Sequence, residues 1–285
     1  MFAITGITGQ VGGAMARALL KEGRAVRAVL RDEAKAGIWA DQGCEIALAD
    51  MNDVAALAAA FSDTEGVFIL PPSNFDPLPG FPEAREGAAR VRQALDRARP
   101  DKVVHLSTIG AQAASPNLLS QQGLYEQALA DLPCPLTALR PGWFMENFRW
   151  DVESVRTEGV LHSFLQPLDR GVPMVATRDI GELAAQLIQE QWRGRRVVEL
   201  RGPSPVSPND AAEAFSRVLG RSVQARVVPR ESWGAMFLAQ GMRDPTPRIQ
   251  MLDGFNEGWI CFERPDEVRE GMTDLVSVLR VLVAP

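Results

Sequence analysis

Two rhythms alternate along this chain: short apolar runs that suit buried strands, and longer stretches with the 3.6-residue period of helices. The first run, residues 2–4, meets glycines at 6, 9 and 12. A helical pattern starts at once, with Val11, Met15, Ala18 and Leu19 on one face. Further strands are predicted over residues 24–30, 44–49, 66–70, 102–107 and 135–139. A helix capped by Asp53 follows the third strand; others cover 83–98 and 118–130. Residues 71–82 carry five prolines (Pro71, Pro72, Pro77, Pro79, Pro82) and read as a stiff loop.

Beyond residue 140 the alternation loosens and aromatic residues crowd together. Residues 171–176 and 196–200 read as strands, with a helix capped by Thr177 or Asp179 between them. Ser207, Pro208 and Asp210 form a helix start with cap, first-turn proline and acid. A short strand at 222–228 and a C-terminal helix over 266–283 complete the pattern. Strand-helix alternation of this kind predicts an α/β fold with a doubly wound parallel sheet. The expected division is 1–140 for the sheet domain, completed by 172–202, with 141–171 and 203–285 forming a second, partly helical lobe.

The first turn is where chemistry enters. Gly6 permits a tight turn, Gly9 lets backbone approach a pyrophosphate, and Gly12 lets the helix sit close to the strand. The helix start offers free N–H groups and a partial positive charge to an anion. Thr8, Gln10 and Val11 complete this predicted cradle for a dinucleotide. The second strand ends in Arg31 and Asp32, where such folds choose their cofactor. A guanidinium suits the 2′-phosphate of NADP, an acid the 2′-hydroxyl of NAD, and a plain surface Arg-Asp pair is the third option. Arg31 comes first, so NADP(H) is expected over NAD(H). Asp50 and Met51 are placed near the adenine, and Leu70, Pro71 and Pro141 at the strand ends facing the cofactor.

Composition narrows the remaining classes. The chain has 285 residues, 46% hydrophobic and 23% charged, with a net charge of −6 and no basic run, which argues against nucleic acid. No apolar run has membrane-spanning length, and Met1 leads directly into a strand, so no leader peptide is expected. The scattered Cys44, Cys134 and Cys261 suit reduced thiols of the cytoplasm, and two isolated histidines give no metal site.

Several of these motifs together resemble the NmrA-like group of atypical short-chain dehydrogenases. They are the run Thr5-Gly6-Ile7-Thr8-Gly9-Gln10-Val11-Gly12, the strands ending in Arg31 and Ser107, and Leu139-Arg140-Pro141-Gly142-Trp143-Phe144-Met145-Glu146-Asn147. A weaker part is Asp253-Gly254-Phe255-Asn256-Glu257-Gly258. The resemblance implies a Rossmann-type lobe with a smaller substrate lobe and NAD(P)H in the cleft between them. It embraces quinone and azo-dye reductases as well as regulators that only sense the cofactor.

The departures are informative. Lysine occurs only at Lys21, Lys35 and Lys102, so the helix after the fifth strand lacks the Tyr-x-x-x-Lys pair of classical relatives. The lysine position, four before Glu126, falls on Gln122. Ser107 is a candidate hydrogen-bond donor to a substrate oxygen, or simply a strand end. Tyr125, the one tyrosine, is a candidate acid, though a half-buried helix residue is the plainer reading. Trp143, Phe144, Trp233 and Phe255 are candidates for an apolar pocket, with core packing as the competing explanation. Glu146 and Asn147 are read as pinning a helix, and His105 as a satisfied core histidine.

Two functions fit. The first is an NAD(P)H-dependent oxidoreductase that passes hydride to a quinone-like or other delocalised small molecule. Reducing a ketone makes an alkoxide, with a conjugate acid near water's pKa of about 15.7. A quinone makes a phenolate-like ion near about 10, a gap of roughly 6 units or about 8 kcal/mol. Without a relay, the delocalised acceptor is the feasible one. The second is a non-catalytic NADP(H) sensor presenting a surface to a protein partner, with residues 71–82 and 241–258 as switch elements. The oligomeric state is open.

Overall fold

The computed structural model describes residues 1–284. The chain starts in the middle of its sheet and builds outward in two directions. β1 (Phe2–Thr5), α1 (Gln10–Lys21), β2 (Val26–Leu30), the short α2 (Ala36–Ala40) and β3 (Glu45–Leu48) run one way. After α3 (Val54–Phe61) the direction reverses, and β4 (Gly66–Ile69) pairs with the other edge of β1. α4 (Pro82–Ala98), β5 (Val103–Leu106), α5 (Ser120–Leu129) and β6 (Leu136–Pro141) continue outward. Pro82, expected in the loop, instead opens α4 in its first turn, where a missing N–H costs nothing.

The two-residue β7 (Trp143–Phe144), α6 (Val152–Thr157) and β8 (Val160–Ser163) lead away from the sheet. The expected strand at 171–176 shrinks to β9 (Met174–Val175), which pairs with β7 and stays outside the large sheet. α7 (Thr177–Gln189) and β10 (Arg195–Arg201) return, with β10 alongside β6. α8 (Pro208–Leu219) starts on the expected box, Ser207 and Asp210 each bonding the other's backbone. β11 (Gln224–Val227) pairs with β8, and α9 (Trp233–Ala239) and α10 (Thr246–Glu257) follow.

The end of the chain differs from expectation. The helix predicted over 266–283 is only α11 (Leu275–Leu282), capped by Asp274. Before it, β12 (Arg269–Glu270) adds to the edge of β10. Pairing with an existing strand and the bonds from Thr273 to Asp179 (2.8 and 2.5 Å) override the local helical pattern there. The finished sheet is parallel, in the order β12-β10-β6-β5-β4-β1-β2-β3.

α1 and α7 cover one face of this sheet and α3, α4 and α5 the other, each over its own apolar cluster. Val11, Met15 and Leu19 of α1 are buried as their spacing predicts, each contributing about 1.5–3 kcal/mol. α7 lies so close to α1 that a Cβ at Gly181 would stand 2.6 Å from the Val11 carbonyl oxygen and from Ala14 Cβ. A third cluster, built from α8 to α11 and residues 145–174, also takes in Ile109 and Leu118 of the loop that follows β5. No helix among the described residues is long and apolar enough to cross a membrane.

Candidate cofactor and acceptor site

Strand order reverses between β1 and β4, and ligands of open α/β sheets bind in the crevice beyond such a point. Thr5 fastens the two strands there. Its hydroxyl donates to the Phe68 carbonyl (3.1 Å) and accepts from the Leu70 N–H (2.8 Å). Gly6 follows with φ +64°, a left-handed turn that an L side chain would strain. The Gly9 N–H closes this turn on the Gly6 carbonyl at 3.0 Å. A Cβ at Gly12 would collide with the Gly6 carbonyl and stand 2.9 Å from Ile7 Cα, so the helix start presses directly on the turn. A Cβ at Gly9 would meet only the Gly6 oxygen, at 3.3 Å.

Gly9 is the N-cap of α1, in extended backbone, and no side chain caps the helix; its first turn also holds no acid. The first-turn N–H groups therefore lack a side-chain acceptor, and their dipole points into the crevice. Thr8, Gly9 and Gln10 are exposed toward it, while Val11 anchors the helix in the core. This open, uncapped cradle fits the pyrophosphate of a dinucleotide.

Directly after the last residue of β2, Arg31 is exposed and makes no ion pair or side-chain hydrogen bond among the described residues. Asp32 does not pair with it. Its carboxylate instead caps the turn at Ala34 (3.1 Å) and lies 3.9 Å from Lys35. Asp50 accepts from the Asn52 N–H at 2.8 Å, and Met51 is half-buried against the α3 cluster.

At the ends of β5 and β6 a buried charge network occupies the region expected to hold catalytic groups. The Ser107 hydroxyl donates to Glu126 Oε1 at 2.5 Å. Arg140 holds the same carboxylate with two nitrogens, at 2.8 and 2.7 Å, and Arg195 adds a bond at 2.9 Å. Burial pushes the Glu126 carboxyl up, but hydrogen bonds from Arg140 and Ser107 outweigh it and hold the group below its ordinary range. Arg140 reaches on to Glu263 (2.6 Å), and Glu199 accepts the backbone N–H groups of Glu263 and Arg264 (2.8 and 2.9 Å). The C-terminal segment is thereby strapped across the sheet. The sequence reading missed this network, whose members lie on separate elements; Arg140 within its motif was the one available signal.

Ser107 thus has its proton directed at Glu126. Tyr125 is buried, stacked on His105 with ring centroids 5.7 Å apart, and its hydroxyl abuts Gly87 of α4. Burial raises its phenol above the ordinary value. His105 is not satisfied as expected: among the described residues neither ring nitrogen makes a hydrogen bond of good geometry, and the side-chain oxygen of the neighbouring Gln122 is likewise buried without one. Burial pulls the imidazole down to about 4, against the opposing influence of Glu126 and Gln122.

The aromatic candidates separate. Trp143 is half-buried, edge-on to buried Phe255 at 5.0 Å and 70°. Phe144 is half-buried against the sheet-side cluster. Trp233 is a core residue, fully buried with its indole N–H on the Val228 carbonyl at 2.8 Å. Glu146 pins a helix, but a distant one: its carboxylate accepts from the Thr177 N–H (2.9 Å) and hydroxyl (2.6 Å), capping α7. Neither Thr177 nor Asp179 caps that helix. Asn147 is exposed. Asp76 of the proline-rich loop receives the Arg243 N–H (3.1 Å) and Nε (2.8 Å), tying the loop to the segment just before α10. No cluster of metal-ligating side chains occurs among the described residues.

Comparison with known proteins bears on the fold and the cofactor class. A family model described as NAD(P)H-binding matches residues 6–191. Over 278 residues the chain is 26% identical to NAD(P)H azoreductase of Xenophilus azovorans, covering 97% of this chain and 91% of that one. Quinone oxidoreductase 2 of Escherichia coli (strain K12) is 28% identical over 250 residues, 86% and 83% of the two chains. The structure of the NADPH-dependent quinone oxidoreductase QOR2 from Escherichia coli, complexed with NADPH, matches with a TM-score of 0.82 at 25% identity, over 99% of each chain.

Proposed function

The chain belongs to the NAD(P)H-binding family, and from that premise we propose that it is an NAD(P)H-dependent reductase acting on quinone-like or comparably delocalised acceptors. The observation that carries the choice of acceptor is the state of the candidate proton donors. Ser107 is directed at Glu126, Tyr125 abuts α4, and Gln122 stands at the lysine position. No strong acid on α5 is offered to an alkoxide. A phenolate-like product needs less help, and one well-placed donor is worth about 2.7–4 kcal/mol where it has been measured.

The residues divide the work as follows. Gly6, Thr8, Gly9, Gln10, Val11 and Gly12 hold the pyrophosphate at the start of α1. Asp50 and Met51 border the adenine. Leu70, Pro71 and Pro141, at the ends of β4 and β6, orient the nicotinamide, and Trp143 with Phe144 and Phe255 excludes water beside it. Arg31, which no carboxylate among the described residues satisfies, supports NADP(H) over NAD(H), because a 2′-phosphate would supply a partner. When bound, the reduced cofactor supplies hydride, and the chain's role is to position the acceptor and keep the crevice dry. A small-molecule acceptor is the partner this site calls for. The scattered free cysteines favour a cytoplasmic location.

The test follows NADPH absorbance with matched panels of quinones and aliphatic ketones, for the unmodified protein and for Tyr125→Phe. Quinones turn over faster, and Tyr125→Phe leaves that rate unchanged. Faster ketone reduction that disappears in Tyr125→Phe would overturn the reading and make Tyr125 the acid. The sensor reading draws on the tie between Asp76 and Arg243, which joins its two switch segments. Tight NADPH binding with no turnover across the panels would favour it.

A further inference from the structure

α1 and α7 start side by side. Gln10 is the first residue of one and Thr177 the first of the other, and the two helices touch so closely that no side chain fits at Gly181. Two helix starts bring two partial positive charges to one place. They are served differently. The start of α7 takes its anion from within the chain: Glu146 accepts the Thr177 N–H at 2.9 and 3.0 Å and the Thr177 hydroxyl at 2.6 Å. The start of α1 has no side-chain cap.

The side-chain amide of Gln10 comes within 3.4 Å of the same hydroxyl, oxygen foremost. A threonine hydroxyl has a single proton, and the short bond to the Glu146 carboxylate takes it. Only lone pairs remain on that oxygen, so it repels an amide oxygen and holds an amide N–H. The oxygen and nitrogen of an amide are told apart by such networks, and this one turns the nitrogen toward Thr177. Gln10 thus donates to Thr177, and Thr177 to Glu146. Oε1 of Gln10, an exposed residue, is left as a free acceptor at the crevice.

An acceptor is the wrong group for a pyrophosphate, whose oxygens only accept. The pyrophosphate keeps the backbone N–H groups of the helix start, and Oε1 needs an O–H from another part of the ligand. Thr177 opens α7, which packs over β4, β5 and β6, and Glu146 follows β6. Arg31 and Asp50 follow β2 and β3, on the opposite side of β1. The Gln10 amide is therefore drawn away from the strands assigned to the adenosine half.

We propose that Gln10 accepts a hydrogen bond from a ribose hydroxyl of the nicotinamide half of the cofactor, and that Thr177 and Glu146 are the positioning residues that turn its amide for this. The assignment rests on placing the pyrophosphate at the start of α1 and is independent of which acceptor is reduced. Met145 and Phe148, on either side of Glu146, pack in the apolar cluster of α8 to α11, so the chain of bonds joins that cluster to the cofactor.

The test is calorimetry with NADPH and with 2′-phospho-ADP, which has the same adenosine pyrophosphate and ends there. Gln10→Ala keeps the backbone N–H and removes the amide of an exposed residue. It weakens NADPH binding roughly two- to tenfold, the range for one neutral hydrogen bond, and leaves 2′-phospho-ADP unchanged. Thr177→Val weakens NADPH binding by a similar factor, and Thr177→Ser restores it. Gln10→Ala combined with Thr177→Val loses no more than either alone, because both break one chain. A Thr177 that only caps α7 would lower the melting temperature of Thr177→Val and leave the ratio of the two affinities where it was, which overturns the positioning role. So would losses that multiply in the double variant. Equal weakening of both ligands in Gln10→Ala overturns the ribose contact, since the amide then serves the pyrophosphate. An unmodified protein that binds neither probe sinks the cradle and this contact together, whereas binding of both with no change in Gln10→Ala sinks the contact alone.

Discussion

Glu126 and Arg140 face each other through two parallel hydrogen bonds of 2.8 and 2.7 Å, with both side chains 4% exposed. Such a pair adds little stability over an apolar replacement, but removing one partner strands the other's charge. Glu126→Gln, which keeps an acceptor oxygen and leaves Arg140 paired with Glu263, is expected to cost less than the about 3–5 kcal/mol of a stranded buried charge, read by denaturant unfolding. Ser107→Ala, which removes one bond to a charged group, costs about 1.5–3 kcal/mol. Because the Glu126 pKa is lowered by folding, its contribution is present above the ordinary carboxylate range and is lost as pH falls through the folded value.

The glycine turn gives a contrast between two neighbouring positions. Gly9→Val is expected to fold and to lose cofactor affinity, because its side chain enters the space left for a pyrophosphate. Gly12→Ala is expected to lose both, since its methyl group meets backbone that cannot move aside. Thermal unfolding alongside calorimetry with NADPH distinguishes them. Unchanged NADPH affinity in a folded Gly9→Val protein would mean that the cradle lies elsewhere.

Arg31→Glu is expected to erase a preference for NADPH over NADH while leaving the melting temperature unchanged. A charge-assisted bond of about 1.5–3 kcal/mol corresponds to roughly ten- to a hundredfold in the ratio of affinities. Equal affinities for the two cofactors in the unmodified protein would remove the role assigned to Arg31.

His105 stays neutral in the fold to about pH 4, whereas an unfolded chain binds its proton near 6.5. A histidine with a lowered folded value destabilises the protein as pH falls from 6.5 toward 4, by up to about 3 kcal/mol. Asp151, pushed up to about 7 by burial, acts in the opposite sense, because the folded state there holds the extra proton. The comparison is therefore made between the unmodified protein and His105→Phe across this window. The stability difference between them shifts in favour of the variant as the medium becomes more acidic. A pH-independent difference would mean that the imidazole is hydrated or hydrogen-bonded in solution.

What could be read from the sequence was what is local. The glycine turn, the Asp53 cap and the Ser207 box each need only neighbouring residues, and each occurs at its expected place. The doubly wound sheet followed from the alternation of strand and helix. Residues 266–274 were misjudged because their strand exists only through pairing with β10, and a helical period cannot report that contact. Glu126 and Arg140 are 14 positions apart on a helix and a strand, and no spacing rule joins them. His105 was expected to find a partner because buried polar groups nearly always do; the structure leaves it without one. Trp233 and Trp143 look alike in sequence, but only the fold places one in the core and the other beside the ligand end of the sheet.

The seating of α7 on α1 bears on how this protein is made. The glycine fingerprint around α1 is synthesised more than 150 residues before the helix that closes over its back, α7, is complete at residue 189. The outermost strand arrives later still, at residues 269–270. Translation therefore delivers a recognisable nucleotide motif long before it delivers a nucleotide site. Until α7 emerges, the growing chain must keep the apolar back of α1, with Val11 and Met15, from finding a wrong neighbour.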